Sequence, residues 1–158
     1  GFEEQQRVIA VNVTALLFLS RFALRHFKAH GKGGTLVNIA SSAAFQPLPF
    51  MAVYAASKAF VLSASEAIAA ENPDIAVITV CPAGTDTGFQ ARAGVRRLPG
   101  ERLLPPEAVA EAIWRAIRNN ASTTRLVGAN ARRMALLSRL LPRRLSLGLW
   151  RKLMAKMR

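Results

Sequence analysis

Residues 35–87 read TLVNIASSAAFQPLPFMAVYAASKAFVLSASEAIAAENPDIAVITVCPAGTDT, and this stretch decides the fold. Two β-branched apolar runs, Thr35 to Ala40 and Ile75 to Cys81, bracket an alanine-rich segment from Met51 to Glu71. Short apolar runs without polar alternation suit strands covered on both faces. Alanine favours the helix between them, and Asn72-Pro73-Asp74 stops it. Strand, helix, strand in this order predicts a parallel pair with a right-handed crossover. The loops that begin at Ser41 and Pro82 then lie beyond the carboxyl ends of two strands, where open α/β sheets bind their ligands.

Outward from this unit, Val8, Val11, Ala15, Phe18 and Phe22 recur at helical spacing, so residues 3–30 read as one long helix closed by His30, Gly31 and Gly33. The apolar stretch from Val8 to Leu19 is broken by Asn12 and flanked by Arg7 and Arg21, and is shorter than the roughly 20 residues of a membrane span. A packed helix is the expectation. Residues 82–103 hold four glycines and no clear period, which predicts a mobile loop carrying ligand contacts. Pro105-Pro106 opens a helix to about Asn119, Thr123 to Val127 reads as a third strand, and two basic helical pieces meet at Pro142. The predicted fold is α/β, a Rossmann-like doubly wound parallel sheet. Residues 1–127 form its core and 128–158 a basic amphipathic helical tail.

With 158 residues, 51% of them hydrophobic, the chain has the material for one domain with a real core. Cys81 is the only cysteine, which excludes an intrachain disulfide and a cysteine-based metal cluster and makes a reducing, cytoplasmic setting the expectation. No metal site is expected. The chain opens on Gly-Phe-Glu-Glu, without a recognisable leader. Of the net charge of +13, nine basic residues and no acidic ones lie in 131–158, leaving 13 basic and 9 acidic residues elsewhere. A charge so placed does not describe a nucleic-acid-binding domain, and the first 127 residues lack the interleaved aromatic and basic pattern of single-strand binders. No nucleic-acid partner is expected.

Tyr54-Ala-Ala-Ser-Lys58 puts a phenol and an ammonium four residues apart on one helix face. A free phenol titrates near ~10, too high for efficient proton transfer at neutral pH, and a neighbouring cation favours its ionised form. An isolated pair of this kind is more often a half-buried aromatic beside a solvated lysine. Three features argue otherwise. Ser41 leaves the preceding strand thirteen residues before Tyr54, where its hydroxyl can aim back at the start of the helix. Asn12 interrupts an apolar helical stretch, where an amide needs partners. Pro82-Ala-Gly-Thr-Asp-Thr87 leaves the next strand with small and hydroxyl side chains, suited to close contact with a planar amide or a phosphate.

In this order and at about this spacing, the four motifs resemble those of the short-chain dehydrogenase/reductase family of the Y-x-x-x-K type. Val11-Asn12-Val13 is similar to its V-N-V helix motif, Val37-Asn-Ile-Ala-Ser41 to its strand end, Tyr54-Ala-Ala-Ser-Lys58 to its Y-x-A-S-K motif, and Pro82 to Thr87 to its P-G-x-x-x-T loop. The resemblance implies an NAD- or NADP-dependent oxidoreductase that moves hydride between the nicotinamide C4 and a carbonyl or alcohol carbon of a small molecule. Tyr54 would exchange the proton, and Lys58 would lower its pKa and bind the nicotinamide ribose. Ser41 would orient the substrate oxygen, with Ser42 its rival, and Asn12 would hold a water linking Lys58 to solvent. Thr87 would contact the carboxamide, with backbone groups of Pro82, Ala83, Gly84 and Thr85 helping.

Two departures qualify the likeness. Ala83 stands where the family usually has glycine, a tolerable exchange between small residues. The T-G-x-x-x-G-x-G turn, the N-N-A-G motif and the residue that selects NAD or NADP do not occur, so the chain reads as the C-terminal part of the family fold, inactive alone. A non-catalytic binding or scaffold protein is the reading from another class. The family likeness also makes the two long helices candidates for a homo-oligomer surface. At the end of the chain, Leu149, Trp150, Leu153, Met154 and Met157 share one helix side while Arg151, Lys152 and Arg158 share the other, with Lys156 near the boundary. Two placements fit that pattern: a peripheral anionic membrane surface or a docked partner, or the protein's own surface or a dimer seam. Arg92, Arg96, Arg97 and Arg102 are either solvated or draw an anionic substrate.

Overall fold

The computed structural model describes residues 1–94, 96, 102–120 and 122–156. Its elements are α1 (Phe2–Ile9), a π-helical segment (Ala10–Ala15), α2 (Leu16–His30), β1 (Thr35–Ile39), a 3-10 turn (Ser42–Phe45), α3 (Ala52–Glu71), β2 (Ala76–Pro82), α4 (Phe89–Ala93), α5 (Pro106–Arg118), β3 (Thr123–Val127), α6 (Ala129–Leu140) and α7 (Arg143–Ala155). The three strands form one parallel sheet in the order β1-β2-β3. Val37 pairs with Ile78, and Val80 with Arg125.

Strand side chains alternate between faces, and β2 is buried on both. Ile78 and Val80 point to one side, where α5 covers them with Val109, Ala112, Ile113 and Ala116. Cys81 points to the other, against Ala40 and Val61, with Leu16 and Leu62 packed around it. Helices on both faces make the sheet doubly wound. On the α3 face, Asn38 is buried and its amide donates to Ser65 Oγ at 2.9 Å and to Ser20 Oγ at 3.4 Å, tying β1, α3 and α2 together. An amide there is tolerable only because both donors are used.

The segment predicted as one helix over 3–30 is helical over Phe2–His30, but Ala10–Ala15 are π-wound, a finding periodicity does not reach because six residues barely alter an apolar face. Gly31, at φ 66°, ends α2 in the left-handed region. The packed-helix expectation is met on one side only, since Val11, Phe18 and Phe22 are all more than 60% exposed. By length and composition alone, Phe2–His30 is apolar enough to cross a membrane, with a mean hydropathy of 1.6 in its most apolar window. Its inner side nevertheless meets α3, where Asn12 bonds Ser57.

Within the loop expected over 82–103, the described residues 82–94 carry more regular hydrogen bonding than their composition predicts. Thr85 forms a parallel bridge with Leu104, Leu104 N donates to Gly84 O at 2.8 Å, and Asp86 N donates to Leu104 O at 2.8 Å. The five-residue helix α4 lies inside it, too short to carry a periodic signal. Arg97 lies outside the described residues.

The last two helices are not detached from the core. Gly128 turns the chain from β3 into α6 at φ 93°, and a side chain there would meet Leu104 at 2.9 Å. From α7, Trp150 packs against the buried cluster of Ala43, Leu48 and Ala55, together with Tyr54 and with Met134 of α6. Met154 is 5% exposed. On this apolar side Trp150 and Met154 turn to the chain's own surface, where the 43–55 segment offers Trp150 an apolar partner, whereas Leu149 is 53% exposed; Met157 and Arg158 lie outside the described residues.

Candidate active site

The 3-10 turn after β1 and the start of α3 bring the predicted residues to one place. Ser41 is extended, at φ −169°, and caps the turn by accepting Ala43 N–H at 3.1 Å. Its side chain also lies near enough to the Tyr54 phenol to lower the pKa of that group. Ser42, the rival, is buried at the same cavity wall without that link. The Lys58 ammonium lies 6.0 Å from the centre of the Tyr54 ring and donates to Ile39 O at 2.9 Å.

Burial pushes the Tyr54 phenol above its ordinary value, and Ser41 pulls it part of the way back. The expected lowering by Lys58 is not what the free chain has, for the ammonium is engaged with a carbonyl rather than with the phenol. Burial lowers Lys58. The Cys81 thiol beneath the site is pushed up to about 12, by burial first and then by the Glu66 carboxylate, so it stays protonated and is no nucleophile.

Ser41, Tyr54 and Lys58 open into a cavity of about 640 Å³ whose wall also includes Pro82, Ala83, Gly84, Thr85 and Thr87. Within that loop the Thr85 hydroxyl donates to Ala83 O at 3.0 Å, Ala83 N is tied to Val127 O at 2.9 Å, and Thr87 Oγ1 accepts Phe89 N–H at 3.3 Å. Gly84 and Thr87 remain exposed to the cavity. A slightly larger cavity, about 740 Å³, lies behind Gln46 among alanines and prolines, and none of the predicted residues reaches it.

Asn12 is not brought into the cavity. Its amide donates to Ser57 Oγ at 3.0 Å, and the Ser57 hydroxyl donates to Tyr54 O at 2.7 Å. The link from Asn12 to the pair therefore runs through Ser57, which the Tyr-x-x-Ser-Lys spelling contains but spacing alone does not single out. The sequence reading also passes over Phe89, whose ring lies 5.0 Å from that of Tyr54 at 40°. Gln46 is missed as well: its Oε1 accepts the Ser146 hydroxyl at 2.9 Å and the Trp150 indole N–H, coupling α7 to the turn that carries Ser41. Met134, Trp150 and Met154 complete the far wall, signalled in sequence only by their helical spacing.

Comparison with known proteins bears on the family and the fold. The family model described as short chain dehydrogenase matches residues 2–97. Among curated relatives, 17-beta-hydroxysteroid dehydrogenase type 3 of Mus musculus is 37% identical over 75 residues, 48% of this chain and 24% of its own. An uncharacterized oxidoreductase of Thermotoga maritima is 36% identical over 104 residues, 64% of this chain and 41% of its own. The chain thus spans less than half the length of these relatives. The solved structure of a short-chain dehydrogenase from Sphingobium yanoikuyae in complex with NADPH superposes with a TM-score of 0.72 at 30% identity, over 100% of this chain and 59% of that one. With the model matched over more than half of its length and a doubly wound parallel sheet to carry the motifs, the chain belongs to the short-chain dehydrogenase family.

Proposed function

We propose that this chain carries the catalytic face of an NAD(P)-dependent oxidoreductase that interconverts a ketone and a secondary alcohol. The observation that supports the reading is that Ser41 and Lys58 line one cavity with Tyr54 and the Pro82 to Thr87 loop. The residues fit a nicotinamide nucleotide by their donor chemistry. Lys58 has three N–H donors and gives one to Ile39 O, leaving two for ribose hydroxyls. Exposed Gly84 lets a planar ring approach the backbone closely, and Thr87 supplies a hydroxyl for a carboxamide. When bound, the reduced nucleotide supplies the hydride, two electrons and a hydrogen, to the carbonyl carbon.

The chain's own part is the proton. Tyr54 gives its phenolic proton to the carbonyl oxygen as the C=O π bond opens, and the alcohol forms. Because burial raises the phenol, Tyr54 stays protonated at neutral pH and is ready as an acid for reduction. Ser41 holds the substrate oxygen within reach and Lys58 anchors the ribose. Asn12, through Ser57, fixes the first turn of α3 on which Tyr54 sits. The outer faces of α1 to α3 are the proposed homo-oligomer surface, supported by the exposure of Val11, Phe18 and Phe22.

Incubation of the full-length protein with nucleotide deuterated at the transferable C4 position and a panel of ketones tests the reading. Deuterium is expected on the carbinol carbon of at least one product. Binding of nucleotide with no label transferred to any ketone would leave a scaffold rather than an enzyme.

A further inference from the structure

Resting on the oxidoreductase reading, we propose a substrate class for this site: a ketone or secondary alcohol on a long apolar body that ends in a carboxylate, with Arg133 receiving the carboxylate. The cavity has two kinds of lining. Ser41, Ser42, Thr85, Thr87 and Lys58 supply its polar groups around Tyr54. The rest of the wall is apolar, built by Met51, by Phe89 beside the Tyr54 ring, and by Met134, Leu137, Trp150 and Met154 of the last two helices. A polar, hydrogen-bonding substrate would leave that wall unmatched, whereas an alkyl or alicyclic body gains by covering it.

Charge then fixes the end group. On α6, Asn130, Arg133, Met134 and Leu137 recur at the spacing of one helix face, and all four line the cavity. Arg96 also lines it. Among the described residues no aspartate or glutamate lines the cavity, and no acidic side chain pairs with Arg133 or Arg96. Both guanidiniums are exposed. A mouth whose described charged side chains are two guanidiniums, with an amide donor beside them, attracts a carboxylate and can bind it in bidentate fashion. Arg133 is the member of the pair on a regular helix, so its position is set by the packing of Met134 and Ala135 rather than by a loop.

The test uses the full-length protein, reduced nucleotide, and a matched pair of probes: a medium-chain methyl-ketone fatty acid and its methyl ester. The acid is expected to be reduced with the higher kcat/KM. Arg133→Met should lower the acid-to-ester preference by about tenfold, the scale of one charge-assisted contact at a half-open mouth, mainly through KM. Arg133→Lys should keep part of the preference, and rising salt should shrink it in the unmodified enzyme. Equal turnover of acid and ester, or an equal loss on both in Arg133→Met, would overturn the assignment. A rise in the nucleotide KM that matches the loss on the acid would also overturn it, by placing Arg133 on the cofactor. Turnover of other ketones in the labelling panel but of neither probe would refute the apolar oxo-acid class while leaving the oxidoreductase reading intact. No turnover of any ketone would fall on that reading instead.

Discussion

Residues 35–87 and residues 128–156 each supply part of the wall of the same cavity, yet they are legible in very different ways. The first region is constrained by chemistry. On the proposed reading, a phenol and a hydroxyl must meet at one oxygen with an ammonium close by, and a strand end plus the first turn of a helix is a compact way to achieve it. The second is constrained only by fit. Met134, Trp150 and Met154 need to be apolar and to face inward, and any globular helix shares that pattern. Motif-bearing residues therefore announce the reaction class, while the residues that choose among substrates carry no signature apart from the surface they meet.

The comparison can be broken from either side. Tyr54→Phe in the full-length protein is expected to lower kcat by at least about a hundredfold, since positioned proton transfer contributes roughly that much or more, while unfolding temperature and nucleotide affinity stay close to the parent. Turnover kept within a few-fold would remove the phenol from the reaction. Lys58→Met should weaken nucleotide binding by about tenfold to a hundredfold, the worth of a charge-assisted hydrogen bond, as titration calorimetry would read, and kcat should fall with it. Unchanged affinity would confine Lys58 to its bond with Ile39 O.

On the other wall, Trp150→Ala should lower stability by about 2 kcal/mol, less than for a fully buried tryptophan because the ring is only partly covered, and should raise KM for bulky apolar ketones by several-fold. Removing residues 131–158 altogether should cost most of the activity and of the thermal stability. A shortened protein that kept both, and lost only an affinity for anionic vesicles, would make the tail a membrane-surface element and the cavity wall incidental.

How far each wall is legible follows from the same contrast. The parallel sheet, its three strands and the convergence of Ser41, Tyr54 and Lys58 can be read from two apolar runs and their exits. The β3 limits, Thr123–Val127, coincide with the predicted ones because Asn119-Asn120 and Gly128 punctuate both ends. The π-winding around Asn12 cannot be read, since it changes hydrogen bonding more than the apolar face. Gln46 cannot either. Its partners Ser146 and Trp150 are one hundred or more positions away, and nothing local in Phe45-Gln46-Pro47 distinguishes a docking amide from a loop amide. The direction of the Tyr54 shift depends on burial, which is a property of the folded chain, whereas the Y-x-x-x-K spelling supplies only the cation.

That direction gives the sharpest test of the proton's path: the pH dependence of kcat in both directions on the full-length enzyme, with Tyr54→Phe as control. Reduction needs the phenol protonated, and a phenol raised above its ordinary ~10 remains so through neutral and mildly alkaline pH, so the reductive rate should be flat there. Oxidation needs the phenolate, so its rate should climb tenfold per pH unit over the same range without levelling near neutrality. An oxidative rate that levels off near pH ~7, where histidines titrate, or one that keeps its slope and size in Tyr54→Phe, would assign the proton to another group and contradict the account.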